Sequence, residues 1–404
     1  MPLDIAAVRD AFPGLADGFA YMDNAGGSLV LKAVADRVAD HLLTTPVQHG
    51  ASYDASQAAS ARLREARADI ARFVNAARPE EIVFSSSATQ AMRTLAAAMA
   101  SQFSPGDEIV LTVFDHESNI GPWLTLKERG VVFRFWSIDA ETLKIDLDAL
   151  DALMGPRTRL VCVTHVSNIL GTIHPIAEIA ERVHAAGAKL VVDGVAFAPH
   201  RRIDVQALGA DYYVFSFYKT FGPHFALIWG RYEHLAELDG LYHHFYGRDV
   251  VPGKLEPGNP NYELAWGSAA IPHYFEGLGE GDLDRAFDAV AEHEEALSER
   301  LLAWLRPRND VRIIGETRAD RALRVPTIAF KVDGHDSASI VAETDRHGLG
   351  IRFGDFHSRR LAEHLGLRGG GGVVRVSMVH YNTVEEVDRL IAALEFALGG
   401  ATSD

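Results

Sequence analysis

"RLVCVTHV" at 159–166, "AEIAERVHAAG" at 177–187 and "AKLVVD" at 188–193 decide the fold of this chain. The outer two runs are short and almost wholly apolar, the signature of strands buried on both faces; the middle run has helical spacing of its apolar residues. A strand, a helix and a strand in that order make one unit of a parallel sheet. The same alternation extends in both directions. "EIVFSS" (81–86), "DEIVLTVF" (107–114), "VVFRFW" (131–136), "DYYVFSF" (211–217) and "FALIWG" (225–230) read as further strands. "LVLKAVADRVADHLL", "AASARLREARADIARFV" and "ATQAMRTLAAAMASQF" read as helices. The expected architecture is α/β, a mostly parallel sheet covered by helices.

From about residue 231 the pattern changes. "YHHFYGRDVVPGKLEPGNPNYE" is a loop-rich connector, followed by a long amphipathic stretch from Asp282 to Leu305 and a boundary at Pro307. "TIAFKV", "GLGIRF", "GVVRVSM" and the closing "TVEEVDRLIAALEFAL" predict a smaller C-terminal α/β domain. The expected division is an N-terminal segment 1–20, a large domain 21–280 and a small domain 281–404. "GLGEGD" (277–282) follows no strand and reads as a connection between helices, and "GGGG" (369–372) as a turn.

The 404 residues are 48% apolar and 23% charged, ordinary for a globular protein. A formal net charge of -16 argues against a nucleic-acid backbone or an anionic membrane as partner. One cysteine, Cys162, inside an apolar run, permits no intrachain disulfide and fits a reducing, cytoplasmic setting. No apolar run approaches the roughly 18 residues of a membrane span, and the N-terminus lacks a signal-peptide core. No P-loop or zinc-protease motif is present, and no metal site is expected.

Ligands of parallel sheets gather at the carboxyl ends of strands. Asp193 ends one strand, and Lys219, in "VFSFYKTFGPH" (214–224), follows another. Burying an ammonium is costly, but apolar surroundings favour the neutral, nucleophilic amine. An amine and a carboxylate over one crevice are what pyridoxal phosphate requires: the amine for its aldehyde, the carboxylate for its ring nitrogen. "SSSATQAM" sets Thr89 at a helix start, where backbone N–H groups suit a phosphate, although a plain helix cap reads the same way. His116 of "FDHESN" stands where an imidazole stacks on a planar ring, and Asn168 of "VSNILGT" where an amide donates to a phenolic oxygen; a structural histidine and a turn asparagine are the competing readings.

Together "YMDNAGGS", "SSSATQAM", "DHESNIGPW", "VSNILGTIHPI", "VVDGV", "VFSFYKTFGPH", "EPGNPN" and "VVRVSMVHYNTVEEVDRL" resemble the class V aminotransferase family, nearest to cysteine desulfurases and selenocysteine lyases, from about residue 20 to 398. The resemblance implies a fold-type I pyridoxal phosphate enzyme and a homodimer with active sites near the subunit interface. It implies that Lys219 forms the Schiff base, Asp193 pairs with the pyridinium, His116 stacks on the ring and Asn168 addresses the phenolic oxygen. Ala88, Thr89 and Ser216 would hold the phosphate, and Arg375 the substrate carboxylate, with Arg352, Asn24 and His357 also at the substrate. Gly258 and Asn259 match a Gly-Thr pair that reaches the phosphate of the neighbouring subunit, with Asn in place of Thr.

Three departures from that family stand out. Its desulfurases carry a mobile R-x-G-H-H-C loop whose cysteine attacks sulfur; here "IRFGDFHSRRLAEHLG" keeps Arg352 and Gly354 but sets His357 about where the nucleophile belongs. Cys162, in its apolar strand, reads as an inert core thiol. "DGAQ" becomes "DGVA", with Ala196 in place of a residue that bonds the phenolic oxygen, and Tyr218 replaces a histidine beside the lysine. The expected function is a lyase eliminating a group from Cβ of an amino acid without a persulfide. The alternatives are an aminotransferase or epimerase of a small amino acid, and a scaffold without catalysis. With Arg375, the residues His49, His224, His243, His244, Arg352 and His357 suggest a polar or anionic substrate.

Overall fold

The computed structural model describes residues 2–399. Its strands are β1 (Ala20–Tyr21), β2 (Ile82–Ser85), β3 (Glu108–Thr112), β4 (Val132–Trp136), β5 (Thr158–Thr164), β6 (Lys189–Asp193), β7 (Tyr212–Ser216), β8 (Ala226–Gly230), β9 (Val311–Ile314), β10 (Thr327–Val332), β11 (Leu349–Gly350), β12 (Arg352–Gly354) and β13 (Val373–Ser377). Seven form one sheet in the order β2-β8-β7-β6-β5-β3-β4. All its neighbours run parallel except at β8, which is antiparallel to both β2 and β7.

Successive side chains of a strand point to opposite faces, and here both faces are covered. Val161, Val163, Leu190, Val192, Tyr213 and Phe215 pack into one apolar layer with the helix Ile176–Ala185. Leu160, Cys162, Val191, Tyr212 and Val214 pack into the other with the helix Ala88–Met99. The near-continuous apolar runs of the sequence follow from this double burial.

A four-stranded antiparallel sheet, β12-β13-β10-β9, lies in the C-terminal part and packs on the long helix Leu283–Leu305 and the closing helix Val384–Gly399. "GLGIRF" does not form one strand. Leu349–Gly350 pairs with β1 in a small parallel ribbon, and Arg352–Gly354 joins β13. Ala20 and Met22 therefore belong to the C-terminal core, although their place in the chain assigns them to the N-terminal part. We infer a division near residue 281 with residues 20–24 joining the second unit, because a segment goes with the core that buries its apolar side chains. None of the described helices is long and apolar enough to cross a membrane.

Candidate active site

Five strands of the large sheet end at one edge, and the residues that follow them line a cleft of about 490 Å³. Ser87, Ala88 and Thr89 follow β2; His116 and Ser118 follow β3; Thr164, Val166 and Asn168 come from β5. Asp193, Val195 and Ala196 come from β6, and Ser216, Tyr218 and Lys219 from β7. A second space of about 770 Å³ shares His116, Asn168, Tyr218 and Lys219 with the first. Its outer wall is Arg352–His357 and Arg375, from β12, the loop after it and β13.

Lys219 sits in a single tight turn, Phe217–Lys219, at the end of β7. It is 8% exposed and makes no hydrogen bond or ion pair among the described residues. Burial, then the Arg375 charge, pull its ammonium down to about 8 against the opposing pull of Asp193. A substantial neutral fraction therefore exists at mildly alkaline pH. The turn is held from outside: Ser28 N donates to the Tyr218 carbonyl at 2.9 Å, and Phe221 N to Ser28 Oγ at 2.8 Å. The Tyr218 ring lies parallel to His224 at 4.9 Å.

Asp193 is buried, and burial raises its carboxyl to about 6, while the Val195 N–H (2.9 Å) and Lys219 favour the charged form. Gly194 follows it because a Cβ there would fall 2.0 Å from the Tyr213 ring. His116 accepts the Ser118 N–H at Nδ1 (3.0 Å), which leaves the ring proton of the neutral imidazole on Nε2. Burial and the nearby Lys219 push its pKa down to about 3, so the ring is uncharged at neutral pH. Ala88 and Thr89 begin a helix of 12 residues capped by Ser87, whose Oγ accepts from Gln90 N. Ser216 closes the same corner from β7.

Arg375 is 1% exposed. Its Nη2 pairs with Asp23 Oδ1 at 3.0 Å, its Nη1 donates to the Asn168 carbonyl at 3.2 Å, and its guanidinium lies 3.7 Å over the Phe356 ring. Its Nε is buried without a partner. Burial lowers its pKa to about 10, with Asp23 opposing, so it stays cationic. Asp23 also reaches Arg352 Nε at 3.3 Å, and a Cβ on Gly26 would lie 2.8 Å from Asp23 Oδ2. One carboxylate thus bridges both arginines, and "DNAG" carries the glycine that the bridge needs.

Asn168 is in the cleft, but its amide is engaged: Nδ2 donates to the Phe356 carbonyl (2.9 Å) and Oδ1 accepts from Ser358 Oγ (2.7 Å). Its second N–H is what remains for a ligand. These bonds, with Glu117 N to the His357 carbonyl at 2.9 Å, pin a loop in which Phe356 and His357 both have positive φ, 50° and 59°. Left-handed backbone at two adjacent side-chain-bearing residues costs on the order of 1–3 kcal/mol each and persists only where surrounding contacts hold it. The His357 ring lies 5.4 Å from that of His116.

Two expected residues lie elsewhere. Asn24 is buried in a lattice of its own: Nδ2 donates to the Ser377 carbonyl (2.9 Å), and Oδ1 accepts from the Tyr381 hydroxyl. It joins the N-terminal segment to the C-terminal core and lines neither space, so its expected place at the substrate is corrected. Asn259 is exposed, at φ 73°, with Oδ1 3.4 Å from His49 Nε2, outside its own chain's cleft. Cys162 is buried between Leu160 and Val191 of the sheet, where burial pushes its thiol pKa well up, and it lines neither space. Asp23, Asp115, Phe356 and Ser358 were not singled out from the sequence. Asp23 and Asp115 had a signal, their places in "YMDNAGGS" and "DHESNIGPW"; Phe356 and Ser358 had none apart from their partners.

The donor set fits pyridoxal phosphate: an unpartnered buried amine, a buried carboxylate, an uncharged imidazole and a helix start around one cleft. Fold and cleft together define a pyridoxal phosphate-dependent α/β enzyme. The chain belongs to the class V aminotransferase family, whose model matches residues 20–390. It is 45% identical over 403 residues to the aminotransferase-like protein FGM3 of Gibberella zeae, covering 98% of each chain. It is 33% identical over 404 residues to the cysteine desulfurase-like protein ustD of Aspergillus flavus, covering 97% of this chain and 90% of that one. The apo structure of the cysteine desulfurase from Thermococcus onnurineus NA1 superposes with a TM-score of 0.90 at 28% identity, covering 99% of both chains.

Proposed function

We propose that this enzyme is a lyase that takes the α-proton from an amino acid and expels a leaving group from Cβ without help from a protein thiolate. One observation carries the thiolate-free part of the reading: a partly neutral amine faces a buried guanidinium across a space that no sulfur of the described residues lines. Pyridoxal phosphate, when bound, supplies the aldehyde that takes an amine and a ring that accepts electrons. Asp193 stands to meet the ring nitrogen, the N–H groups of Ala88 and Thr89 with Ser216 to hold the phosphate, and His116 to lie against the ring, uncharged. Lys219 Nζ is the base that carries the α-proton. Arg375 offers its guanidinium to the substrate carboxylate from the wall of the outer space while Asp23 holds it in orientation. His357 and Arg352 face the substrate side chain where the leaving group departs.

The experiment offers a panel of amino acids to the purified protein and assays keto acid, ammonia, sulfide and pyridoxamine phosphate separately. Keto acid with stoichiometric ammonia and a released Cβ substituent supports the lyase. Keto acid with accumulating pyridoxamine phosphate and no ammonia supports transamination, which the same lysine geometry serves if the proton returns at a different carbon. Neither product from any amino acid would sink both.

We also propose a homodimer. Supporting it, Leu43, Tyr53, Tyr242 and Phe245 are large apolar side chains 82%, 53%, 45% and 69% exposed, and Asn259 lies outside its own cleft, as a residue serving a partner's phosphate would.

A further inference from the structure

Residues 22–31 run from the C-terminal unit to the large one and are hydrogen-bonded to both. At the first end Met22 N donates to the Gly350 carbonyl at 2.9 Å, Asn24 N to that of Ser377 at 3.2 Å, and Ala25 N to Ser377 Oγ at 2.9 Å. Asp23, between them, holds Arg375 and Arg352. At the other end Ser28 is bonded to the Lys219 turn, and Leu31 N donates to the Phe221 carbonyl at 3.0 Å. Two tight turns keep the stretch short: Gly26 N donates to the Asp23 carbonyl at 2.9 Å and Gly27 N to that of Asn24 at 3.0 Å. A strap thus joins the guanidinium of the cleft to its amine.

Ser28 brackets Lys219. Its N–H and its hydroxyl lie 2.9 and 3.2 Å from the Tyr218 carbonyl, whose peptide plane leads directly into the Lys219 Cα. Its Oγ accepts the Phe221 N–H at 2.8 Å, so the peptide plane that ends at Phe221 is held as well. A hydroxyl donates and accepts at once, and both capacities are used here. Phe221 needs the support: it is fully buried at φ 65°, left-handed backbone that a bulky residue rarely adopts. Its ring is packed edge-on against Phe12 and His380, with centroids 5.5 and 4.8 Å away. A buried N–H without an acceptor costs about as much as such backbone strain. Loss of the hydroxyl therefore adds a second penalty to the first, and turning the peptide planes on either side of Lys219 relieves both. With the Phe221 ring fixed, that movement falls on Lys219 and Thr220.

We propose that Ser28 is a positioning residue for Lys219, and that the strap Asp23–Ser28 fixes the amine relative to Arg375 so that a substrate held by its carboxylate presents its α-proton to Nζ. This rests on the reading of Lys219 as the amine that takes the cofactor and carries the α-proton. Arg375 keeps Asp23 when Ser28 changes, so loss of the hydroxyl disturbs proton transfer more than substrate binding.

Two measurements on the full-length chain test it. In cofactor-free protein, amide hydrogen exchange over residues 214–224 is compared in wild type, Ser28→Ala and Ser28→Thr. Ser28→Ala is expected to exchange about 10-fold faster there and as wild type does in β5, whereas Ser28→Thr, which keeps the hydroxyl, stays within about 3-fold of wild type. Unchanged exchange over 214–224 in Ser28→Ala overturns the proposal. The proteins loaded with pyridoxal phosphate are then incubated with L-alanine in heavy water, and loss of its Cα proton is followed by NMR. L-alanine has nothing to expel from Cβ, so the signal reports proton transfer alone. At saturating L-alanine Ser28→Ala is expected to be slower by about 10- to 100-fold, with a half-saturating concentration within about 3-fold of wild type. Ser28→Thr is expected to restore the rate. A Ser28→Ala rate equal to wild type, a Thr variant as slow as the Ala variant, or a loss confined to the half-saturating concentration overturns the proposal. If wild type takes up no pyridoxal phosphate, or holds it and exchanges no Cα proton, the reading of Lys219 fails instead, and the amide series still decides whether Ser28 fixes the turn.

Discussion

Two lysines of this protein are buried, and they are buried for opposite purposes. Lys254, 1% exposed, donates to the carbonyls of Ala236, Leu238 and Arg248 at 2.9, 2.7 and 2.9 Å. Three acceptors match the three N–H bonds of an ammonium, so it stays charged and laces the two ends of the connector 236–256 to each other. Lys219, 8% exposed, has no acceptor and faces a cation, Arg375. Burial alone therefore says little about a lysine. What separates a structural ammonium from a reactive amine is whether the surroundings complete the charged form's hydrogen bonds or withhold them.

The comparison can be broken by exchanging consequences. Lys219→Ala should lower turnover by about 10²–10⁴-fold and leave the urea midpoint of the cofactor-free chain unchanged or higher. Borohydride reduction should fix the cofactor's mass on the wild-type chain and not on the variant. Lys254→Met should do the reverse, costing on the order of 3 kcal/mol in urea unfolding because the buried Leu238 carbonyl and the half-buried Ala236 and Arg248 carbonyls lose their donor, with turnover of the folded fraction retained. A Lys254 variant as stable as wild type would show that burial of the two lysines is equivalent after all.

Arg375→Ala sharpens the Lys219 side. Losing a charge-assisted clamp of about 1.5–3 kcal/mol should lower kcat/KM by about 10- to 100-fold, mostly through KM, and unchanged KM for carboxylate substrates would remove Arg375 from the substrate. A further effect is on pH. Lys219 is near 8 when folded and close to its ordinary 10.5 when unfolded, so the unfolded chain binds more protons between those values. Stability of the cofactor-free chain should rise across pH 8 to 10.5, and Lys219→Met should flatten that rise.

Much of this arrangement is legible in the chain. "TIAFKV" is β10 residue for residue, Asp282 caps the long helix as its place before the amphipathic run suggests, and "GLGEGD" ends the helix Ala270–Leu278 and connects it to the long one. Lys219, Asp193, His116, Thr89 and Ser216 meet because all follow strand ends of one sheet, and a strand end is a local feature. The reading fails where a contact is remote. Asp23 and Arg375 are 352 positions apart, and nothing near either names the other. Asn24 has the chemistry of a ligand-binding amide, but Ser377 and Tyr381 claim both ends of it.

By itself, then, the sequence determined the succession of helices and strands, the family, and the residue types at the cleft, because periodicity and turn chemistry act between near neighbours. Only the tertiary structure decided that β8 runs against its neighbours, that "GLGIRF" divides between two sheets, and that Ala20 and Met22 pack in the C-terminal core. It also decided that one aspartate bridges two arginines. Those outcomes depend on which distant surfaces bury each other, and a polar group acquires its role from the partner that burial leaves it.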